Sequence, residues 1–238
     1  MKIQTRWLRL LHKWIGLIIG LQFVLWTVSG AMMALLPMEE VAGGARREPA
    51  AVKSLTSDNW NVVQASLSTT RVTALSMRPL LDRQIYEVGT PDGIKLFDAA
   101  SGRRIVVDAH LARRIAAAAH PADAAVTRVE PMNELTLAVR EHELPIWRVD
   151  FADQKNSSYY VSGSTGDVLE RRNDTWRMWD FFWMLHNMDY LNRTSFNHPM
   201  IIVVGFAAVW LAITGVYLLF RTGWRSDFKR LKTRPSSR

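Results

Sequence analysis

The sequence contains no cysteine in its 238 residues. This absence excludes disulfide bonds, thiolate metal sites, iron–sulfur clusters, a cysteine nucleophile and the covalent attachment of a c-type haem. Acidic residues are also outnumbered, because 22 Asp and Glu stand against 30 Lys and Arg, which gives a formal net charge of +8. A basic chain is typical of proteins that bind nucleic acid or a membrane surface. The positions of the charges decide between these two classes.

Charged residues are missing altogether from two apolar segments, residues 14–38 and residues 199–220. About 20 residues of α-helix cross the ~30 Å hydrocarbon layer of a bilayer, so both segments are long enough to span it. The sequence therefore predicts two transmembrane helices, at residues 14–38 and 198–220. A cleavable signal peptide is the alternative for the first segment, with small residues at 42–45 as the cleavage region. Such peptides usually have a shorter apolar run, of about 7–15 residues.

Basic residues flank both apolar segments on their outer sides. Residues 1–13 carry four Lys or Arg and no acid, and residues 221–238 carry seven Lys or Arg with one Asp. Lys and Arg beside a span are retained in the cytoplasm. We therefore expect two cytoplasmic basic tails, 1–13 and 221–238, with the central segment in the periplasm of a bacterium whose inner membrane holds the chain. The basic residues are explained by the membrane, so no nucleic-acid partner is expected.

The central segment, residues 39–175, has short alternating runs and turn residues typical of an α+β domain of antiparallel hairpins and helices. A helix is expected to start at Ser57 or Asp58 and end near Leu67, and a second to follow Asp108 as its N-cap. Strands are expected at residues 71–77, 83–88, 94–98, 104–107, 135–140, 146–151, 158–162 and 168–171, and a short segment at 122–128 opens the second half of the domain.

Two parts of this domain share one order of residues. The run Ile85–Val88 is followed by a turn, a second strand and Ser101-Gly102, and the run Ile146–Val149 is followed in the same way by Thr165-Gly166. Each glycine would supply the positive φ that a tight turn needs. We consider a duplication, with repeats at about 55–120 and 121–172. Hairpins of this kind also recur by chance.

An aromatic segment, residues 176–197, joins this domain to the second span. At helical spacings of three and four, one stripe holds Trp176, Trp179, Trp183, His186 and Tyr190. Trp and Tyr prefer the membrane–water interface, so we expect an interfacial helix and turn. His186 on the same stripe could alternatively be a ligand that is oriented by Asp189.

Three blocks occur along the chain in the order Leu11–Leu17 with Thr27–Gly30, Leu144–Val149 with residues 159–161 and 166–168, and Trp183–His186 with Thr214–Tyr217. Together they resemble the PepSY-associated transmembrane proteins. The resemblance covers nearly the whole chain, although the larger members of this family have four or more spans and this chain has two. Larger members resemble inner-membrane reductases of ferric siderophores, some with haem between histidine-bearing helices, whereas soluble PepSY modules are associated with protease propeptides and with the restraint of a partner.

The histidines near the spans are candidate haem ligands under this resemblance: His12, His186 and His198. Each also has a simpler interpretation. His12 could be an interfacial polar residue beside a helix-packing pair, Gly16 and Gly20, that would favour a homodimer. His198 precedes Pro199 and could cap the second span. Because His12 and His198 are on opposite sides of about 30 Å of hydrocarbon, they cannot share one iron. A bis-histidine site needs the pair His186 and His198, or two chains.

Two functions remain. We favour a membrane-anchored PepSY domain that binds or regulates a partner protein in the periplasm and needs no cofactor. The alternative is a haem b electron-transfer protein, a component of an oxidoreductase, that acts in ferric iron or siderophore reduction and so in iron uptake. The chain has no dinucleotide-binding glycine motif and no hydrolase signature, so no catalytic residue is predicted. The other histidines, at 110, 120 and 142, have no metal-binding spacing and are expected to be solvated.

Overall fold

The computed structural model describes residues 5–45, 59–67, 70–190, 193 and 199–223. The predicted cap at Ser57 or Asp58, the candidate ligand His198 and most of the C-terminal basic tail lie outside these residues. The chain divides into two compact units. The helical unit comprises Met1–Leu35 and Trp179–Arg238, and the sheet unit comprises Leu36–Met178.

The helical unit is built on two long helices, which confirms the two apolar helices predicted from the sequence. The first, α1, covers Thr5–Leu35, and the last, α6, covers Pro199–Leu218 and continues as a turn of π-helix at Leu219–Gly223. The chain itself buries only 17% and 6% of their most apolar windows. A helix in the core of a soluble protein would be mostly buried, so these helices have the length and surface of membrane spans.

The two long helices pack against each other in antiparallel fashion. A Cβ atom built at Gly215 would lie 3.3 Å from His12 Cε1, and one built at Gly16 would lie 3.7 Å from Leu211 Cδ2. The buried side chains of α1 are Ile19, Gln22 and Ser29, whose spacings of three and seven follow the seam of a helix pair. By contrast, a Cβ atom built at Gly20 would touch nothing within 4 Å. Gly16 therefore lies at the contact with α6, whereas the space at Gly20 is open.

The sheet unit contains two four-stranded antiparallel sheets, each with its strands in sequence order. Short helices precede, connect and follow them, and a 3₁₀ turn at Leu137–Val139 lies between β5 and β6. The helices are α2 (Met38–Val41), α3 (Trp60–Ser66) and α4 (Ala109–Ala119), and α5 (Asp174–Asn187) begins in this unit and continues into the helical unit from Trp179. The strands are β1 (Ala74–Leu80), β2 (Arg83–Thr90), β3 (Gly93–Asp98), β4 (Arg104–Ile105), β5 (Val126–Pro131), β6 (Ile146–Phe151), β7 (Ser158–Ser162) and β8 (Val168–Arg172).

The main core of the sheet unit forms around α4. Asp108 caps this helix, as predicted, by accepting a hydrogen bond from the backbone N–H of Leu111 at 2.8 Å. The buried face of α4 belongs to one apolar core with residues of both sheets. This core contains Leu80, Ile85, Leu96, Val107, Ala112, Ile115, Ala116, Val149, Phe151, Tyr159 and Val161.

The two sheets repeat one arrangement of helix and strands. Helix α3 covers the face of the first sheet that carries Tyr86, Val88 and Phe97, and α4 covers the face of the second sheet that carries Val149 and Val161. The two turn glycines both have positive φ, 69° at Gly102 and 74° at Gly166, as the sequence predicted. At Gly102 a Cβ would lie 2.8 Å from Val62 side-chain atoms, so a larger residue does not fit there.

Several strand predictions were displaced or wrong. β1 begins at Ala74 rather than residue 71, because Leu80 pairs with Arg83 across a two-residue turn that fixes the register of the hairpin. β5 covers Val126–Pro131 and was not predicted as a strand, because the sequence indicated only a short segment at 122–128. Residues 135–140 were predicted as a strand but contain the 3₁₀ turn. Its two buried residues, Ala138 and Val139, are adjacent, whereas a strand would bury alternate residues.

Candidate functional site: two histidine–hydroxyl pairs

His12 of α1 is paired with a threonine of α6. Its Nδ1 atom lies 2.8 Å from Thr214 Oγ1, and the same oxygen donates a hydrogen bond to the backbone carbonyl of Trp210 at 2.8 Å. A hydroxyl has one hydrogen, so Thr214 must accept from the histidine. We infer that His12 carries its proton on Nδ1. Its Nε2 lone pair then remains available.

His186 of α5 makes the same arrangement with a serine of α1. Its Nδ1 atom lies 3.1 Å from Ser29 Oγ, which donates to the backbone carbonyl of Leu25 at 2.6 Å. Ser29 is 1% exposed, so water does not compete for its oxygen. His186 is therefore held with its proton on Nδ1 as well. Ser29, and not Asp189 as the sequence suggested, is its hydrogen-bond partner among the described residues.

A glycine follows the hydroxyl residue in both pairs. Cβ atoms built at Gly30 and Gly215 would lie 3.4 and 3.3 Å from the Cε1 atoms of His186 and His12. These separations are tighter than ordinary van der Waals contact. The serine–glycine and threonine–glycine dipeptides thus each supply an acceptor and the space for an imidazole from another helix. The sequence singled out both dipeptides and both histidines, but it did not predict which histidine each dipeptide contacts.

The two pairs lie far apart along α1. Seventeen positions separate His12 from Ser29, a rise of about 25 Å at 1.5 Å per residue. In the part of the chain that the structure describes, no second histidine accompanies either pair, and no group of three His, Asp or Glu residues could hold a metal ion. The unit therefore presents two separate sites with one imidazole each.

The histidine blocks belong to a pattern that a family model recognises over almost the whole chain. The model for the PepSY-associated TM region matches residues 9–238. The chain belongs to this family. No curated protein and no solved structure matches it. Together with the two apolar helices, the match makes the chain a PepSY membrane protein, as the sequence had indicated.

One histidine of this PepSY protein corrects the sequence analysis. His120 was expected to be solvated but is only 4% exposed. Its ring stacks on Phe151 with centroids 4.5 Å apart, and its Nε2 lies 3.2 Å from Asp153 Oδ2. Sequence gave no sign of this burial, because the contact joins the end of α4 to the turn after β6. His142 is also partly buried, 3.0 Å from Glu170 Oε1, whereas His110 is exposed as expected.

Asp153 organises the surroundings of His120. Burial alone would raise the pKa of Asp153, but hydrogen bonds from the Ser157 hydroxyl, the Ser157 N–H and His120 lower it below its ordinary value. The Ser157 hydroxyl donates to Asp153 Oδ2 at 2.6 Å. Serine and histidine thus both bind the carboxylate, and the serine is not paired with the histidine as a nucleophile would be. The cluster stabilises the turn between β6 and β7, and its hydrogen bonds are not those of a hydrolase triad.

Proposed function

We propose that the PepSY protein binds haem b in its helical unit and transfers electrons across the membrane. The observation that carries this proposal is that Nδ1 of His12 and Nδ1 of His186 each lie within hydrogen-bond distance of a hydroxyl oxygen, while neither Nε2 has a hydrogen-bond partner among the described residues. The sequence alone favoured partner binding over this alternative, and the hydrogen bonds of the two pairs reverse that order.

The residues of both pairs fit a haem. Iron is bound by the lone pair of a neutral imidazole nitrogen. Ligating histidines almost always donate their other N–H to an oxygen, which fixes both tautomer and ring orientation. Thr214 and Ser29 supply that oxygen here. His12 and His186 are thus proposed as ligands, with Thr214 and Ser29 as positioning residues.

A bound haem supplies one-electron chemistry between ferric and ferrous iron. Each site offers a single histidine, so we propose that a second copy of the chain supplies the other ligand. A two-fold axis along the membrane normal places equivalent histidines of two copies at equal depth. The dimer would then hold one haem near each end of α1, about 25 Å apart along the helix.

The direction of transfer follows from the charges of the tails. We propose that both basic termini are cytoplasmic and that the sheet unit lies in the periplasm, with the chain in the bacterial inner membrane. His12 is then near the cytoplasmic side and His186 near the periplasmic side. The substrate on the periplasmic side would be ferric iron or a ferric siderophore. The matching helix-and-sheet arrangement supports a duplicated PepSY module as the domain displayed there.

A second candidate function, partner binding by the sheet unit, is favoured by β1. This strand has seven residues and lies at one edge of the first sheet, with Leu75 49% exposed. An edge strand of this length is a template for strand addition by an extended peptide. The two functions are compatible, because they use different units.

The visible spectrum tests the proposal. The full chain, purified in mild detergent from haem-replete cells, is measured oxidised and after reduction with dithionite. We expect a Soret band and sharp α and β bands on reduction. A colourless protein would contradict the haem proposal and leave partner binding as the function to pursue.

A further inference from the structure

Two buried hydrogen-bond donors on α1 have no acceptor among the described residues. They belong to Gln22 and Trp26, which lie one helical turn apart on the α1 seam. The Nε2 atom of Gln22 and the Nε1 atom of Trp26 are both buried, and neither has a hydrogen-bond partner in the described part of the chain. Gln22 as a whole residue is only 9% exposed.

The position of these donors makes the missing acceptor costly. Gln22 lies about 15 Å from His12 and about 10 Å from Ser29 along the helix axis, which is the middle of the span. Water is absent from the bilayer centre, and an unsatisfied polar group there is strongly unfavourable. The backbone carbonyls nearby are occupied by the hydrogen bonds of the helix itself. Neither N–H group has an acceptor among the described residues, and we infer that a ligand supplies one.

We propose that Gln22 and Trp26 form a binding site for a lipid-soluble quinone, with one carbonyl oxygen of the quinone accepting hydrogen bonds from both N–H groups. A ligand at this depth has to be uncharged and must partition into hydrocarbon, yet carry a strong acceptor. Quinone carbonyls meet these three conditions. The proposal concerns binding alone and does not depend on the presence of haem.

The carboxylates of a haem do not explain the two donors. Charged groups are far more costly than neutral ones in hydrocarbon, so haem carboxylates near His186 would be directed to the aqueous edge of the membrane. Gln22 and Trp26 lie on the opposite, inner side of the Ser29–His186 pair. A neutral acceptor is the better match for donors in this place.

Helix α6 leaves room for a ligand at this depth. The contacts of His12 with Gly215 and of Gly16 with Leu211 fix the antiparallel alignment and bring Gly205 to the level of Gln22. A Cβ built at Gly205 would meet nothing within 4 Å. Gly205 thus places no side chain on α6 at the level of the two donors. Because both N–H groups are buried in the packed chain, the proposed ligand reaches them only when the Trp26 side chain turns outward.

The test follows the indole N–H of Trp26 by NMR. The full chain is labelled with ¹⁵N-indole tryptophan, placed in lipid nanodiscs and titrated with decylubiquinone, and the signal is assigned with Trp26→Phe. We expect the Trp26 signal to move in a saturable way. Gln22→Leu should weaken binding about five- to tenfold, the effect of one hydrogen bond. Thr27→Val is the matched control, because its exposed hydroxyl bonds the Phe23 carbonyl in the same helix, and it should bind like the parent.

Misfolding cannot imitate this result. Gln22→Leu removes an orphaned buried amide, so this variant should be at least as heat-stable as the parent while it binds quinone more weakly. The proposal is overturned if the Trp26 signal does not move, if it moves equally with decylbenzene, which lacks a carbonyl, or if Gln22→Leu binds as tightly as the parent. It is also overturned if Gln22→Leu disrupts dimer cross-linking without changing quinone binding, because the donors would then contact a second copy.

The haem proposal fails separately. A colourless protein that still shows the saturable Trp26 shift would contradict haem binding and support the quinone site. A red protein without that shift would support haem binding and contradict the quinone site.

Discussion

Ser29 Oγ lies 3.1 Å from His186 Nδ1 and gives its own hydrogen to the carbonyl of Leu25, one turn earlier in the same helix. Thr214 does the same for His12, with the Trp210 carbonyl as its acceptor. A Ser or Thr hydroxyl that bonds back to its own helix is common. In this protein it leaves the oxygen lone pairs facing an imidazole from another helix, and so it sets the tautomer of each histidine.

We expect Ser29→Ala to weaken haem binding at the His186 site by about tenfold, since removal of the partner of a ligating histidine typically costs 10–100-fold in affinity. Equilibrium haem titration of the apoprotein measures the change. A merely structural role would not alter the haem's midpoint potential, so a potential shifted in Ser29→Ala and restored in Ser29→Thr identifies a positioning residue. If Ser29→Ala equals the parent in both measurements, Ser29 does not orient His186.

Substitution of the paired glycines should have a different effect from substitution of open ones. Ala is favoured over Gly in a helix by about 1 kcal/mol, so Gly20→Ala, at an open position, should raise the melting temperature in detergent. Gly30→Ala and Gly215→Ala should lose that gain, because the new methyl group lies 3.3–3.4 Å from an imidazole. Thermal melts of the three variants provide the comparison. Equal stabilisation at all three positions would show that the histidines are not packed against the glycines.

Arg171 should be a major determinant of the stability of the sheet unit. Its guanidinium donates to the backbone carbonyls of Ala42, Gly44 and Ala45, and the residue is only 8% exposed. Arg171→Met keeps much of the volume but leaves these carbonyls without their donor, at a cost of about 2–3 kcal/mol. Urea denaturation measures this free energy of unfolding.

The control for Arg171 is Arg128→Met, because Arg128 is exposed and pairs with Glu130 at the surface. That pair should contribute less than about 1 kcal/mol. A similar decrease in the free energy of unfolding in both variants would show that the hydrogen bonds of Arg171 do not stabilise the sheet unit more than a surface ion pair does. Limited proteolysis near residues 42–45 should be faster in Arg171→Met than in Arg128→Met.

The Asp153 cluster predicts sensitivity of the sheet unit to acid. The pKa of Asp153 is lower in the folded protein than in the unfolded chain, because Ser157 and His120 bond its charged form. Its contribution to stability is therefore present above the ordinary Asp pKa, near 3.9, and is lost as the pH falls through the lower folded value. Thermal melts between pH 6 and pH 2.5 should show this loss.

Asp153→Asn removes the titrating group, so its stability should depend less on pH in the acidic range than that of the parent. Asp92→Asn, at an exposed turn, is the matched control and should behave like the parent. Parallel curves for the parent and Asp153→Asn would contradict the inferred role of this carboxylate.

Local signals in the sequence account for much of the fold. The absence of charge from residues 14–38 and 199–220 predicted both long helices, and Asp108 predicted the start of α4. Alternating residues located β2, β6 and β7. These features depend on residues that are close in the sequence, so they can be predicted without knowledge of the tertiary structure.

The sequence failed where distant parts of the chain decide the outcome. Ala138 and Val139 are apolar like a strand, yet their packing on Ile146 and Tyr160 places them in a 3₁₀ turn. His120 looks like a surface residue until Phe151 and Asp153 are brought beside it. The candidate ligands His12 and His186 were found from the family resemblance, but their partners Thr214 and Ser29 follow only from how the helices pack.

The haem content per chain is the most direct test of whether His12 and His186 bind haem. Haem is assayed as the pyridine complex in the parent, in His12→Ala, in His186→Ala and in the control His110→Ala, whose histidine is exposed in the sheet unit. We predict about one haem per chain in the parent and the control, and about half of that in each of the two site variants. Unchanged haem content in both His12→Ala and His186→Ala, or no haem in the parent, would contradict the account.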